Sequence, residues 1–246
     1  MNSTKRYLFK EPLEKGVIVC RKNRFIMEVD IGGEIFSCHC PTTGRIGNIC
    51  LKNLPCLVSK AENEKRKTPF TVEAISTDSV GDTDKSWIGI NQSKANRYIH
   101  HFLDNGSLSK IIQDFEKIEP EHSLANARID FKIDNAFIEV KTPLAGIPCG
   151  ALEQKTEPRN FNSFDRLIKH LSCLQDHIKP GHRSILILCF MYDADPFSPP
   201  MPNAVNKEIL AAAKKAEEKG VENWQVNLSI DEIGVTLNDH FKINLF

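Results

Sequence analysis

The sequence predicts an α/β fold of the mixed α+β kind, with a small β-barrel over residues 1–90 followed by an α/β domain over residues 91–246. Short strand-like runs broken by turn signals fill the first part. Helical periodicity then begins at Ser93, and from there helices and strands follow one another to the end of the chain.

The barrel rests on the runs "GVIVCRK", "RFIMEVDI", "EIFSCHC", "PCLVSKA" and "FTVEAIST", with Gly32-Gly33 forming a hairpin turn between the second and third. Strands of this number and length suit a small closed barrel of the OB type, an architecture used to bind nucleic acids or saccharides. Fold alone does not assign function, so the side chains must.

Two basic clusters lie on this part of the chain. One holds Arg21, Lys22 and Arg24 beside Phe25; the other holds Lys65, Arg66 and Lys67, with Phe70 close by. Cations beside aromatic rings are what a phosphate backbone and stacked bases require; the alternative is a pair of solvated turn tips next to core aromatics. Formal net charge is +0 and pI about 7.1, which excludes a nucleic-acid coat protein with a general basic excess and confines any polyanion site to a local patch.

Hydrophobic residues make up 41% and charged residues 26%, ordinary for a globular chain. The longest apolar run, "ILILCFMY", is too short to span a bilayer, and the first residues lack the apolar stretch of a signal peptide. A cytoplasmic protein with its eight cysteines reduced is expected. Cys38, His39, Cys40, Cys50 and Cys56 do not have the paired spacing of a zinc knuckle and are expected in the barrel core.

In the second part, "SKANRYIHHFLD" is expected as a helix capped by Ser93 and stopped at Asn105-Gly106, with a further such segment from Ser107 to just before Pro120. Residues 163–181 form a helix capped by Ser163, with Leu167, Leu171, Leu174 and Ile178 on its apolar stripe and Lys169 and His170 off it. A buried strand over "SILILCFMYD", a helix from about Asn206 to Gly220, and strand-like runs in "WQVNLSI", "GVTL" and "KINLF" complete the chain.

Between the first helices and residue 163 lies "RIDFKIDNAFIEVK". Apolar residues alternate on either side of Asp134-Asn135, which predicts a hairpin pairing Ile133 with Ala136, Phe131 with Ile138 and Ile129 with Val140. That register sets Asp130 opposite Glu139 and Arg128 opposite Lys141 on the other face, with facing Cβ atoms roughly 5 Å apart. Two carboxylates so placed call for a positive charge between them. A hard divalent cation such as Mg²⁺ takes carboxylate oxygens and keeps waters for chemistry. The competing reading is a solvated outer face with surface ion pairs.

Helix, hairpin carrying D and ExK, helix and strand is also the order of the PD-(D/E)xK nuclease core. The chain as a whole resembles the sugar fermentation stimulation protein A (SfsA) family through "PLEKGVIVCRKNRFIMEVDI", "CHCPTTGRIGNIC", "RKTPFTVEAI", "IGINQSKANR", "RIDFKID", "FIEVKTPL", "KHL" and "AAKKAEEKGVE". The resemblance implies an OB-like domain joined to a PD-(D/E)xK restriction-endonuclease-like domain, DNA as partner, and Mg²⁺ or Mn²⁺ as cofactor. It places the family's acidic residues on Asp130 and Glu139, its lysine on Lys141, and its K-H-L helix on Lys169, His170 and Leu171. On that reading Asp130 and Glu139 hold the metal, and Asp130, Glu139 and Lys141 are catalytic. Arg128, Lys169 and His170 join the two basic clusters as DNA contacts.

Three departures touch the expected rim of the site. Thr42 stands where the family usually has asparagine in P-N-T-G, His101 stands where the first helix usually carries a glutamate, and "AGIPCGALEQKTEPRNFNSFDRLI" replaces a glycine and F-P-D-A-V-T stretch.

Overall fold

A computed structural model describes residues 5–63, 65–124, 127–144, 146–149, 152, 164–204 and 206–246. After a short strand β1 (Arg6–Leu8), the chain enters the barrel with β2 (Glu14–Arg21), β3 (Ile26–Ile31), β4 (Glu34–His39), β5 (Pro55–Lys60) and β6 (Phe70–Ser76). Their order is β4-β3-β2-β5-β6, and a parallel pairing at His39 and Thr71 joins β4 to β6 and closes the ring. A further strand, β7 (Trp87–Gly89), pairs with β6.

The alternation that predicted the barrel also fills it. Ile18, Met27, Val29, Cys38, Cys40, Cys56, Val58 and Val72 are fully buried. All eight cysteines are free thiols, and Cys50, expected in the barrel core, is instead exposed. Burial pushes the Cys38 thiol up to about 11 and raises that of Cys40, so both behave as small apolar core residues. Gly32 and Gly33 take positive φ in the β3–β4 turn, where the Gly33 amide donates to Oδ1 of Asp30 at 2.8 Å.

The second part consists of α1 (Gln92–Asp104), β8 (Ile118–Leu124), β9 (Ala127–Ile133), β10 (Ala136–Lys141), α2 (Phe164–Asp176), β11 (Arg183–Phe190), α3 (Lys207–Glu218), β12 (Glu222–Ile230) and β13 (Gly234–Ile243). They build a seven-stranded sheet in the order β1-β13-β12-β11-β10-β9-β8, with β10, β11 and β12 parallel at its centre. Helices cover both faces, as a parallel sheet requires. Tyr98, Ile99 and Phe102 of α1 pack with Ile138, Ile185 and Ile187. Leu171 and Leu174 of α2 and Ala216 of α3 pack with Phe137, Leu186 and Leu188 on the opposite face.

The two parts interlock. The apolar cluster on the α2 side continues into the barrel through Ile18, Met27 and Val72. Gly47 donates to the Leu144 carbonyl at 2.7 Å and Gly89 to that of Met191 at 2.8 Å. A Cβ at Gly89 would lie 2.6 Å from the Met191 Cβ, so this strand contact requires glycine. The chain also begins on the larger sheet, because β1 pairs with β13 before the barrel starts. Among the described residues no helix is long and apolar enough to cross a membrane.

Several expectations are corrected. Residues 107–111 form turns rather than a helix, Asp114 takes a left-handed backbone, and Ile118–Pro120 belong to β8, an edge strand in which a proline is tolerated. The first helix is capped at Asn91, not Ser93. "GVTL" and the "KI" of "KINLF" belong to one strand, β13, whose polar middle residues and a bulge at Asn227/Leu228 hid its continuity. The short strands β1 and β7 were not expected, since three residues are too few for a periodic signal. The Ser163 cap lies outside the described residues, as does most of the 145–168 stretch.

Candidate metal and nucleic-acid site

The hairpin forms with Asp134 at φ 48° in its turn, and it has the expected register for Ile133↔Ala136 and Phe131↔Ile138. The ladder ends there. The expected pairs Asp130–Glu139, Ile129–Val140 and Arg128–Lys141 do not form, because the Asp130 side chain takes the place of a backbone acceptor. Its Oδ2 accepts the Val140 amide at 2.7 Å. The alternation breaks at the same residue, with Ile129 in the cluster on the α2 side and Phe131 and Ile133 in that on the α1 side. Asp130 therefore sits where β9 leaves β10, bonded to the amide next to Glu139 in sequence.

Glu139 is 1% exposed, on the inner strand β10 with helices above and below. A solvated outer face is excluded. Its Oε1 accepts from Lys141 Nζ and from Nδ1 of His170, while Oε2 is buried with no hydrogen-bond partner. Lys141 lies on the same side as Glu139, as strand alternation requires, and its side chain is 27% exposed, so it connects the buried carboxylate to solvent.

His170 does not lie at the surface as a phosphate contact. It is 5% exposed, and one turn of α2 delivers it beneath the sheet to Glu139. Position 170 adjoins the apolar stripe at Leu171, and that stripe faces the sheet. Lys169, on the outer side, is exposed.

Asp130 Oδ1 accepts from Nδ2 of Asn96 on α1 at 2.6 Å. Sequence reasoning missed this residue, although it lies inside the "SKANR" stretch. His101, expected at the rim, instead meets the Arg6 carbonyl at 3.2 Å and the Tyr7 ring, away from Asp130. Thr42 is buried and donates to the Ile90 carbonyl, which ties the loop after β4 to the entry of α1.

Among the described residues no group of three or more His, Cys, Asp or Glu side chains is arranged to hold a metal ion. The donors at the hairpin are two carboxylates, one with an unpartnered buried oxygen. A cation completed by waters and substrate phosphate fits that set, and a cage built wholly of protein ligands does not.

The basic clusters are sorted by the structure. Arg21 turns inward and donates to the carbonyls of Thr42 at 2.5 Å, Gly44 at 3.0 Å and Arg24 at 3.2 Å, so it shapes the loops. Lys22 pairs with Glu28 at 2.6 Å. Arg24 and Phe25 are exposed, whereas Phe70 is buried edge-on against Phe36. Lys65, Arg66 and Lys67 are exposed, and Arg66 touches Thr71 Oγ1 at 3.2 Å. His39, which pairs with Thr71 at the closing seam, brings the clusters together. Its pKa is lowered by burial and by the Arg66 charge, against the Phe25 carbonyl and Glu73, which raise it. Arg128 is spent on Glu121 of β8 at 2.8 Å.

A closed OB-like barrel joined to a helix-covered α/β sheet, with a buried carboxylate and a lysine on an inner strand and a histidine reaching them from α2, defines a two-part α/β protein. The chain belongs to the sugar fermentation stimulation protein (SfsA) family. The profile of the SfsA N-terminal OB domain matches residues 19–90. A sugar fermentation stimulation protein homolog of a Synechococcus species is 30% identical over 74% of this chain and 72% of its own. One from Clostridium beijerinckii is 28% identical over 94% of this chain and 97% of its own. The solved structure of Pyrococcus furiosus SfsA in complex with Ca²⁺ superposes with a TM-score of 0.74 over 97% of this chain and 98% of that one, at 17% identity.

Proposed function

We propose that the protein binds DNA and hydrolyses phosphodiester bonds at Asp130, Glu139 and Lys141 with a divalent cation, Mg²⁺ or Mn²⁺, in the cytoplasm. One observation carries this reading: Glu139 is buried with a free Oε2 beside a half-exposed lysine. A buried carboxylate oxygen with no hydrogen-bond partner is costly, and a cation entering from the Lys141 side would offset that cost. The Ca²⁺ named for the Pyrococcus furiosus relative supports a divalent site here as well.

When bound, a divalent cation supplies charge to polarise the phosphate and lowers the pKa of its own water. The chain's residues do the rest. Asn96 and the Val140 amide orient Asp130, each using one lone pair of a carboxylate oxygen and leaving the other available. His170 fixes Glu139. Lys141, beside Glu139, would orient the attacking water, or as the neutral amine accept its proton, and as the ammonium would stabilise negative charge on the phosphate. The seam of Arg24, Phe25, His39 and Arg66, flanked by Lys65 and Lys67, supplies cations and one stacking ring for DNA.

The test is incubation of wild type and Glu139→Ala with single- and double-stranded DNA and RNA in Mg²⁺, Mn²⁺ or EDTA. Cleavage that requires both metal and Glu139 is expected. DNA retention without cleavage in any metal would favour the second reading, a DNA-binding regulator that keeps an acidic pocket. The feature that favours it is that both Asp130 oxygens already accept hydrogen bonds from the chain.

A further inference from the structure

We propose that the barrel positions the carboxylate site through α1, with Glu73 and Asn96 as positioning residues; the inference rests on the divalent-cation reading of Asp130 and Glu139. Glu73 lies on barrel strand β6 and is 1% exposed. Its Oε1 accepts from Ser59 Oγ at 2.5 Å and Lys94 Nζ at 2.6 Å, and its Oε2 accepts from Asn91 Nδ2 at 2.8 Å. Its backbone carbonyl accepts the amides of Ile90 at 2.8 Å and Asn91 at 3.3 Å. Four of these five donors belong to the entry or first turn of α1.

A buried ion pair is a poor source of stability, because desolvation offsets its attraction, and an apolar pair would seal the barrel as well. What it does supply is orientation. Asn91 occupies the N-cap position of α1 yet caps no backbone amide: its Oδ1 accepts from Ser93 Oγ at 2.6 Å, while its amide nitrogen donates to Glu73. The first turn of α1 holds no acidic residue and carries Lys94, the wrong sign for a helix N-terminus. Glu73 provides from the barrel the negative charge that the helix lacks.

The same two turns of α1 reach the site. Asn96 bonds Asp130 at 2.6 Å, and Gln92 Nε2 donates to the Thr142 carbonyl at 2.6 Å, one residue beyond Lys141. Helix α1 therefore links a barrel carboxylate at its start to both arms of the candidate metal site. Displacement of its first turn moves Asp130 relative to Glu139, because Glu139 is held from the opposite face by His170 on α2.

The experiment is Ca²⁺ titration by calorimetry of the full chain as wild type, Glu73→Gln, Asn96→Ala, Glu139→Ala and Glu222→Gln. Hydrogen exchange over residues 88–97 accompanies it, with and without saturating Ca²⁺. Loss of a partner that orients a metal-ligating carboxylate typically weakens affinity about 10-fold or more. Asn96→Ala is expected to show that loss, and Glu73→Gln a loss of several-fold. Glu222→Gln, which breaks an ion pair on β12, lowers stability and leaves Ca²⁺ affinity unchanged. Ca²⁺ slows exchange at Ile90 and Asn91 in wild type and not in Asn96→Ala. Wild-type Ca²⁺ affinity in a folded Asn96→Ala protein, or exchange insensitive to Ca²⁺, overturns the proposal whether or not Glu73→Gln folds. Unchanged Ca²⁺ affinity in Glu139→Ala overturns the underlying site reading as well, and that result is distinct from the first.

Discussion

Nδ1 of His170 and Oε1 of Glu139 form a hydrogen bond inside the protein, between the middle of α2 and the inner strand β10 of the sheet. The imidazole reaches a carboxylate that also accepts from Lys141, so one oxygen carries both donors and the other carries none. Glu139 is thereby aimed by its surroundings before any ligand arrives, which is the role expected of a partner to a metal-ligating carboxylate.

His170→Ala is expected to reduce Mn²⁺ or Ca²⁺ affinity by about 10-fold and to destabilise the fold by about 1–3 kcal/mol through loss of a buried partner. His170→Asn, whose amide nitrogen stands close to the position of Nδ1, should recover part of the metal affinity. Calorimetric titration checks both, and equal affinities in all three proteins would remove His170 from the site.

Glu222 provides a pH signature of stability. Burial alone would push its pKa up, but the hydrogen bond and charge of Arg183, with Trp224 and Lys242, hold it below the usual carboxylate range. A depressed carboxylate contributes stability above its unfolded pKa of about 4.3, and that contribution is lost as pH falls through the folded value. Urea unfolding should find wild type more stable than Glu222→Gln by about 1 kcal/mol at neutral pH, with the difference gone near pH 3.

DNA affinity should separate the exposed cations from the structural one. Replacing Lys65, Arg66 and Lys67 by alanine should weaken duplex binding and reduce the magnitude of the log–log salt slope by about 2–3. Phe25→Ala should cost about 1–3 kcal/mol on single-stranded DNA. Arg21→Ala, by contrast, should lower the melting temperature, because its guanidinium holds three loop carbonyls. An unchanged salt slope in the triple variant would place the DNA face elsewhere.

His39 makes the seam pH-sensitive. Burial first, then Arg66, lowers its pKa, so the free protein carries a neutral imidazole at pH 7. A phosphate beside it raises the pKa, DNA binding takes up a proton, and affinity rises as pH falls between the bound and lowered free values. Fluorescence anisotropy from about pH 7.5 to pH 5.5 should show this rise in wild type and a flatter profile in His39→Asn.

The barrel and the hairpin were legible because both rest on strand alternation and on turns that need Gly32-Gly33 and Asp134. Lys141 on the same side as Glu139 followed from strand alternation, whereas Asp130 directly opposite Glu139 did not, because the ladder ends at Phe131 and Ile138. What surrounds these residues was hidden as well, because a register places residues on a face and says nothing of what covers it. Asn96 and His170 come from helices that pack on opposite sides of the sheet, and their distance along the chain from Asp130 and Glu139 leaves no local signal. Glu73 had a faint one, a lone acid in the apolar run "FTVEAIS". Arg21 and Phe70 show the converse limit, since an inward arginine and a buried ring read in sequence like their exposed neighbours.

If the splayed hairpin holds a divalent cation, anomalous diffraction from crystals soaked in Mn²⁺ will show a peak within about 2.5 Å of Glu139 Oε2 and of a carboxylate oxygen of Asp130, absent in Glu139→Ala crystals. A peak elsewhere, or one that persists without the Glu139 carboxylate, would contradict that reading.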